Sequence, residues 1–233
     1  MSETTPLPET PPASALRIAL RTAAILLAFT LVFTALMAGS YQLTQPVLRA
    51  TAADAKRRLI AEVLPPADYD NDLLADAIDL PPTAELGTTE VTRLYRARKN
   101  GAPAALVFEA AAPDGYSGRI GLVLAVRADG RLAAVRVTQH KETPGLGDYI
   151  DPKKDKNKAA PWIAQFDGRS LEDPPAAKWR VKKDGGVFDQ RAGATISARA
   201  VTHATARALA WALAHGEQLY RLPAGTAYQE NRP

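Results

Sequence analysis

The stretch "GRIGLVLAVRADGRLAAVRVTQH", residues 118–140, decides the fold. Alternate side chains of a β-strand lie on the same face of its sheet, so every second apolar residue should face a core. The Asp129-Gly130 pair between the two alternating runs indicates a tight hairpin, because the favoured turn takes positive φ at both positions. The side chains expected to share the buried face are Ile120, Leu122, Leu124 and Val126.

The preceding stretch repeats this pattern. Residues 91–112, "VTRLYRARKNGAPAALVFEAAA", alternate on both sides of Asn100-Gly101, a strong hairpin signal. Together the two hairpins predict an antiparallel sheet of four strands. "YDNDLLADAIDLPP", residues 69–82, is predicted to be loop with one short turn. The glycine pair after Asp184 suggests a further short strand pair.

An alanine-rich helix is predicted from about Ser197, in "SARAVTHATARALAWALAHGEQLYRL". Apolar and small residues recur at the helical period and define an inner stripe. That stripe consists of Ala198, Val201, Thr205, Ala208 and Ala212, with Trp211 beside it. The predicted fold class is α+β, with one curved antiparallel sheet packed by helices.

The N-terminal region predicts a membrane anchor. Residues 1–15 are rich in Pro, Thr, Ser and Glu and are expected to be disordered. No charged residue occurs between Arg21 and Arg49, and a transmembrane helix needs about 20 mainly apolar residues. The alternative is a cleaved signal peptide, but the apolar run exceeds the ~15 residues typical of such a core. A retained helix over 16–45 is therefore predicted.

The charge rule leaves the orientation of this helix open. Arg17 and Arg21 favour a cytoplasmic N-terminus. Basic residues on the other side weaken that preference; they are Arg49, Lys56, Arg57 and Arg58.

The rest of the chain is predicted to form three further segments. A membrane-proximal helix and connecting segment occupy 46–89, and the helix ends at Pro65-Pro66. Residues 90–222 form the main domain, and 223–233 form a C-terminal tail. The expected apolar stripe of the membrane-proximal helix is Leu48, Ala52, Leu59 and Val63.

Composition excludes several classes of site. The chain has no cysteine, which rules out disulfides, thiolate catalysis and cysteine-ligated metals. Its net charge of +4 and the absence of zinc spacing argue against a nucleic-acid partner. Three histidines show no ligand spacing. A basic run is either a solvated loop or a docking site for an acidic partner; it contains Lys153, Lys154, Lys156 and Lys158.

Gly193-Ala194-Thr195 lies where a loop meets the last helix. One interpretation is a helix cap, in which the hydroxyl of Thr195 or Ser197 satisfies an orphan N–H group. A second is a phosphate site, because a helix N-terminus presents unpaired N–H groups and partial positive charge. A phosphate at this place could be carried covalently on the Thr195 hydroxyl.

The stretch "DQRAGATIS", residues 189–197, resembles the flavinylation motif of the FMN-binding domain family. The resemblance implies that Thr195 carries FMN through a phosphoester bond. It also implies a dedicated flavin transferase that uses FAD and magnesium and recognises Asp189. Ala192 departs from the pattern, since many members have serine or threonine there.

Other motifs extend the resemblance. "PDGYSGRI" (113–120), "HKETPGLGD" (140–148) and "YDND" (69–72), behind one membrane helix, are similar to the G subunits of Rnf (Rsx) electron-transport complexes. The implied flavin-contact residues are Tyr116, Gly118, Glu142, Thr143, Gly145, Leu146, Gly147, Gly193, Ala194 and Ser197. Each also has a plain structural interpretation: turn geometry for the glycines, core packing for Tyr116 and a cap for Glu142.

The resemblance implies an electron-transfer subunit with no acid–base dyad of its own. The expected complex moves ions while exchanging electrons between ferredoxin and NAD, and contains further flavin and iron–sulfur subunits. It lies in the bacterial inner membrane, with the N-terminus of this chain cytoplasmic and the FMN domain periplasmic. Two alternatives remain: the C subunit of a sodium-pumping NADH:quinone reductase, and an unflavinylated membrane-anchored interaction domain.

Overall fold

The computed structural model describes residues 15–229. The disorder expected for 1–15 falls outside these residues, except for Ala15, which begins the first helix. The chain divides into two compact units, Met1–Asp54 and Ala55–Pro233.

Helix α1 covers Ala15–Ala61, so the two helices expected on either side of Pro46 form one continuous helix. Its segment Arg17–Gln45 has 29 residues and contains an 18-residue stretch with a mean hydropathy of 2.1, none of which is buried. In the described part of the chain this is the one helix long and apolar enough to cross a membrane. The structure therefore agrees with a single N-terminal anchor.

The second unit is built on a five-stranded antiparallel sheet in the sequential order β1-β2-β3-β4-β5. The strands are β1 (Ala77–Leu80), β2 (Thr92–Lys99), β3 (Ala102–Gly115), β4 (Gly118–Arg127) and β5 (Leu132–Gln139). Asn100 and Gly101 take positive φ in the β2–β3 turn, as the hairpin prediction requires. Between β4 and β5 the hairpin is confirmed but the expected two-residue turn is wrong: Gly130 takes positive φ, Asp129 does not, and residues 128–131 connect the strands. Strand β1 was missed because it is only four residues long and too short to show alternation.

Both faces of the sheet are buried. The predicted face, from Ile120 to Val126, packs against helix α2 (Thr195–Arg221), as expected. The opposite face carries Val123 and Ala125 and packs against Ile60 and Leu64 near the end of α1. The alternation in β4 predicted that one face of the sheet is buried. The residues at the end of α1 and just after it cover the other face. Of the stripe expected there, Val63 is buried, whereas Leu48 and Ala52 are exposed.

The inner stripe predicted for α2 is confirmed, because all five of its members are buried. Trp211 lies beside it and packs on Phe108, with ring centroids 5.7 Å apart. The hydroxyls of Thr202 and Thr205 donate to backbone carbonyls one turn earlier, so these polar side chains are satisfied within the core. Small residues on this face let the helix lie close to the sheet.

The segment between β5 and α2 consists of loops and short 3₁₀ helices. The strand pair expected around Asp184 is wrong, since Lys182–Asp184 is a 3₁₀ turn and a single bridge joins Val181 to Phe188. The chain folds closely on itself here: a Cβ on Gly186 would lie 1.9 Å from the Arg180 carbonyl oxygen. That contact explains the glycine without a hairpin.

The basic run surrounds a buried acid. Asp155 is fully buried, while Lys153 and Lys158 are exposed and bind Glu62 and backbone carbonyls respectively. Lys154 and Lys156 are exposed. The run is thus an exposed loop fixed by its central aspartate, and exposed lysines fit both the solvated-loop and the docking interpretations.

The far end of α2 is tied to the sheet by a buried arginine. Arg96 is 2% exposed and pairs with Asp76, which also binds Arg98 Nε at 2.8 Å. The Arg96 guanidinium donates to the carbonyl of Leu219 in the last turn of the helix and to that of Leu222 just beyond it. Beyond them, the backbone at Thr226–Tyr228 bonds to β1, so this part of the expected C-terminal tail joins the sheet edge.

We expect Asp76→Ala to lower the free energy of unfolding by about 3–5 kcal/mol, because it leaves a buried arginine without its counter-ion. Asp79→Ala is the matched control: its partner Arg93 is exposed, and an exposed pair contributes under ~1 kcal/mol. Urea unfolding of the detergent-solubilised chain, followed by tryptophan fluorescence, measures both. Equal losses in the two variants would contradict this role for Arg96.

Candidate functional site

The start of α2 has no side-chain cap. Gly193 takes φ +83° in the loop, Ala194 precedes the helix and Thr195 is its first residue. Thr195 is half-buried, and within residues 15–229 its hydroxyl has no hydrogen-bond partner. The capping interpretation of Thr195 is therefore not what the structure shows. The first N–H groups of the helix remain available to an outside acceptor.

Glu142 joins three separate motifs. Its carboxylate is 3% exposed and accepts a hydrogen bond from the Ser117 N–H at 2.9 Å. Its second oxygen accepts a hydrogen bond from the hydroxyl of Ser197 in the first turn of α2. Ser197 therefore does not cap the helix; it connects the helix to the glycine loop, which we define as residues 140–148. Glu142 also does not act as a helix cap, because its carboxylate binds Ser117 and Ser197 in two other motifs.

The glycine loop is closed by its own backbone. The Thr143 carbonyl accepts from Leu146 N at 3.1 Å and from Gly147 N at 3.0 Å. Gly145 takes φ +75° and donates to the Asp148 carboxylate at 2.9 Å. A Cβ on Gly147 would lie 2.7 Å from Ser197 Oγ and 2.9 Å from Glu142 Oε2. Glycine at 147 thus allows the carboxylate and the helix to meet.

These motifs enclose a cavity of about 260 Å³. Large apolar side chains stand exposed around it: Tyr116 is 67%, Leu146 54% and Ile196 43% exposed. The lining residues are Tyr116, Glu142, Thr143, Leu146, Gly147, Gly193, Ala194, Ile196 and Ser197. Eight of these nine were singled out from the sequence, so the structure brings most of the candidate site together. Tyr116 is exposed, which argues against its interpretation as a core residue.

Four candidate residues do not line the cavity. Gly118 closes the β3–β4 turn with φ +110°, and Gly145 shapes the loop. Thr195 follows Ala194 directly at the cavity edge. Asp189 is mostly exposed, and its carboxylate lies 2.5 Å from Lys182 Nζ. Its backbone is held by Trp162 Nε1 at 2.6 Å.

Sequence reasoning missed two residues of the site. Ile196 lines the cavity, and its signal was an exposed apolar side chain off the inner stripe of α2. Tyr149 is buried just after the glycine loop, and its hydroxyl donates to the Ala194 carbonyl at 3.2 Å. No pattern in the sequence indicates that second contact, because it joins residues 45 positions apart.

Arg191 and Arg199, the two arginines closest in sequence to Thr195, are both engaged in ion pairs. Arg199 makes two bonds to Asp184, at 2.6 and 2.9 Å. Arg191 pairs with the buried Asp155. Burial alone would raise the pKa of Asp155, but hydrogen bonds from the Trp162 and Asn157 amides and from Arg191 outweigh it and lower that pKa. Neither guanidinium is therefore left free beside Thr195, and the positive end of the helix is the remaining source of positive charge there.

The arrangement suits a phosphorylated, planar ligand. A helix N-terminus with open N–H groups is an anion site, and it adjoins a cavity with exposed apolar side chains on its rim. An unpartnered hydroxyl stands at the junction. These features fit FMN, whose phosphate and flat ring need those two environments.

Comparison with known proteins bears directly on this site. The model of the FMN-binding domain matches residues 115–210, and that of the RnfG N-terminal region matches 14–63. The G subunit of the ion-translocating oxidoreductase complex from Pseudomonas aeruginosa (strain UCBPP-PA14) is 45% identical over 203 residues, covering 87% of this chain and 92% of that protein. The corresponding G subunit from Escherichia coli O157:H7 is 42% identical over 191 residues, covering 82% and 89%.

This chain belongs to the RnfG family. A further relative, the G subunit of the same kind of complex from Vibrio cholerae (serotype O1, strain M66-2), is 37% identical over 199 residues, covering 85% of this chain and 92% of that protein. The RnfG-type N-terminal match favours this family over the C subunit of a sodium-pumping NADH:quinone reductase. The match to the FMN-binding domain, residues 115–210, includes every candidate site residue of this chain.

We expect Gly147→Ala to destabilise the domain by about 1–3 kcal/mol, because the added methyl group overlaps two buried atoms that bind each other. Gly216→Ala is the control. That glycine lies within α2, and a Cβ added to it would lie 3.9 Å from the nearest atom, in Leu106. Alanine should therefore stabilise the domain by up to ~1 kcal/mol. Thermal unfolding of the two variants measures both effects; a stabilising Gly147→Ala would contradict the close packing described here.

Proposed function

We propose that the chain is a membrane-anchored electron carrier that bears FMN covalently on Thr195. The observation that carries this proposal is the unpartnered Thr195 hydroxyl at the uncapped start of α2, beside a cavity rimmed by apolar side chains. Family membership supports the cofactor, since the match to the FMN-binding domain, residues 115–210, includes the start of this helix.

The attachment is a group transfer. The Thr195 oxygen forms a bond to the phosphorus of the FMN half of FAD, the pyrophosphate bond breaks, and AMP leaves while the hydroxyl loses its proton. The transferase that uses magnesium catalyses this step. Asp189 is exposed six residues before Thr195, which supports its role as a recognition residue.

The chain's own residues hold and orient the group. The phosphate would lie against the first N–H groups of α2, and Gly193 and Ala194 allow close approach of the backbone. Tyr116, Leu146 and Ile196 offer apolar surface to the ring system, and Glu142 and Thr143 offer polar atoms beside it. When bound, FMN supplies the electron-transfer chemistry, and the protein positions it and tunes its potential.

The relatives named as subunits of an ion-translocating oxidoreductase complex support a similar assembly for this chain. We infer that its partners are membrane subunits with further flavins and iron–sulfur clusters, which exchange electrons between ferredoxin and NAD. The anchor lies in the bacterial inner membrane with its N-terminus in the cytoplasm and the FMN domain in the periplasm. Covalent attachment suits that side, where a dissociated cofactor would be lost.

We expect Thr195→Val to abolish covalent flavin. The variant removes the oxygen that forms the phosphoester but keeps the shape of the side chain. Thr202→Val is the matched control, because Thr202 is a buried threonine of the same helix. Peptide mapping by mass spectrometry over 184–207, from a host with an active transferase, should show Thr195 heavier by FMN less one water in the wild type and the control.

Two results would count against this assignment. Covalent flavin retained in folded Thr195→Val would move the attachment elsewhere. An unmodified Thr195 in the wild-type chain would favour an unflavinylated interaction domain. In native membranes, Thr195→Val should also abolish ferredoxin-dependent NAD reduction while the complex still assembles.

Orientation is testable because the chain has no cysteine of its own. Ser14→Cys reports the N-terminal side of the anchor and Lys156→Cys reports an exposed loop of the domain. In intact spheroplasts, a membrane-impermeant maleimide should label Lys156→Cys at once and Ser14→Cys only after lysis. The reverse pattern would place the domain in the cytoplasm.

A further inference from the structure

Tyr149 binds both ends of the segment that leads into Thr195. We define this segment, residues 191–194, as the attachment loop. The buried phenol oxygen accepts a hydrogen bond from the Arg191 N–H at 3.2 Å and donates to the Ala194 carbonyl at 3.2 Å. Tyr149 comes from the 3₁₀ helix Gly147–Ile150, so it links the glycine loop to the start of α2.

The ring of Tyr149 is itself held in place. Trp162 packs edge-on against it with centroids 5.4 Å apart, and the Arg191 guanidinium lies 4.5 Å from its centroid. Asp155 fixes both neighbours, because it pairs with Arg191 and accepts from the Trp162 N–H at 2.7 Å. The hydroxyl that binds the attachment loop therefore has little freedom to move.

Thr195 depends on this support more than its neighbours do. Its hydroxyl has no partner within the described residues, so only the backbone sets where its oxygen lies. Two residues before it, Gly193 takes φ +83° with open space around it, and glycine is the residue that resists backbone motion least. Ser197 ties the first turn of α2 to Glu142, and Tyr149 ties the loop on the other side of Thr195.

We propose that Tyr149 is a positioning residue for flavin transfer: it holds the attachment loop so that the Thr195 oxygen is presented to the phosphorus of FAD. This inference rests on the proposed function. Burial raises the pKa of the phenol, which keeps the hydroxyl protonated and able to donate at neutral pH. A displacement of the nucleophile of about 1 Å can slow a reaction up to ~100-fold, so modest loosening of the loop should be measurable.

The chain offers a closely matched control in Tyr220. Its hydroxyl also donates to a backbone carbonyl, that of Ala97, at 3.3 Å, and an arginine, Arg98, lies 5.3 Å from its ring centroid. Tyr220 lies near the other end of α2, far along the helix from Thr195. Tyr220→Phe therefore removes a similar bond from the same domain without touching the attachment loop.

The experiment measures initial rates of flavin transfer to the full-length chain in detergent, with purified transferase, FAD and magnesium. The concentration of the acceptor chain is varied to separate kcat from KM. Tyr149→Phe should lower kcat about tenfold with KM unchanged, because the recognition residue Asp189 is held separately by Trp162 and Gln165. Tyr220→Phe should change neither constant, and thermal unfolding should show a similar small loss in both variants.

Each other outcome overturns the inference. A wild-type kcat in Tyr149→Phe would show that the two bonds do not position the acceptor. Equal losses of kcat in both tyrosine variants would assign the effect to general destabilisation, and a raised KM with unchanged kcat would assign Tyr149 to transferase binding. Modification absent from the wild-type chain would instead refute the proposed function, and the positioning role with it.

Discussion

The candidate site depends on one buried carboxylate. Glu142 accepts hydrogen bonds from the Ser117 amide and the Ser197 hydroxyl, and so fixes the β3–β4 turn, the glycine loop and the first turn of α2 relative to one another. A buried acceptor is costly when unpaired, so these three segments are each constrained to supply or admit its partners. Gly147 meets this constraint by having no side chain, since a Cβ there would occupy the space between Glu142 and Ser197.

The sheet and α2 supply the rigid frame for this arrangement. The sheet is buried on both faces, and α2 is held near each end: by Glu142 at its first turn and by Arg96 beyond its last. A helix fixed in this way presents its open N–H groups in a defined direction, which an anion site requires. The fold thus places the strongest restraint at the point where the cofactor would be attached.

The sequence pattern predicted those features of the fold that depend on residues close together in the chain. Alternation in β4 and the Asn100-Gly101 turn depend on neighbouring residues, and both were recovered, as was the inner stripe of α2. Strand β1 was missed because four residues are too few to show alternation. Gly186 serves close packing on Arg180 instead of a hairpin, and Gly185 takes φ +80° after the 3₁₀ turn. Motif order brought together eight of the nine cavity residues, whereas Tyr149 required knowledge of a contact across 45 positions.

The proposed role of Thr195 as a nucleophile accounts for the way its surroundings are held. A capping hydrogen bond would fix the direction of its hydroxyl but occupy its oxygen, and no side chain among residues 15–229 bonds to that oxygen. Its position must then be set by the backbone, which Ser197 holds after Thr195 and Tyr149 holds before it. Trp162 packs against the ring of Tyr149, and Asp155 accepts a hydrogen bond from the backbone N–H of Trp162. The backbone on both sides of Thr195 is thereby restrained, whereas the hydroxyl that we propose as the attachment point is not.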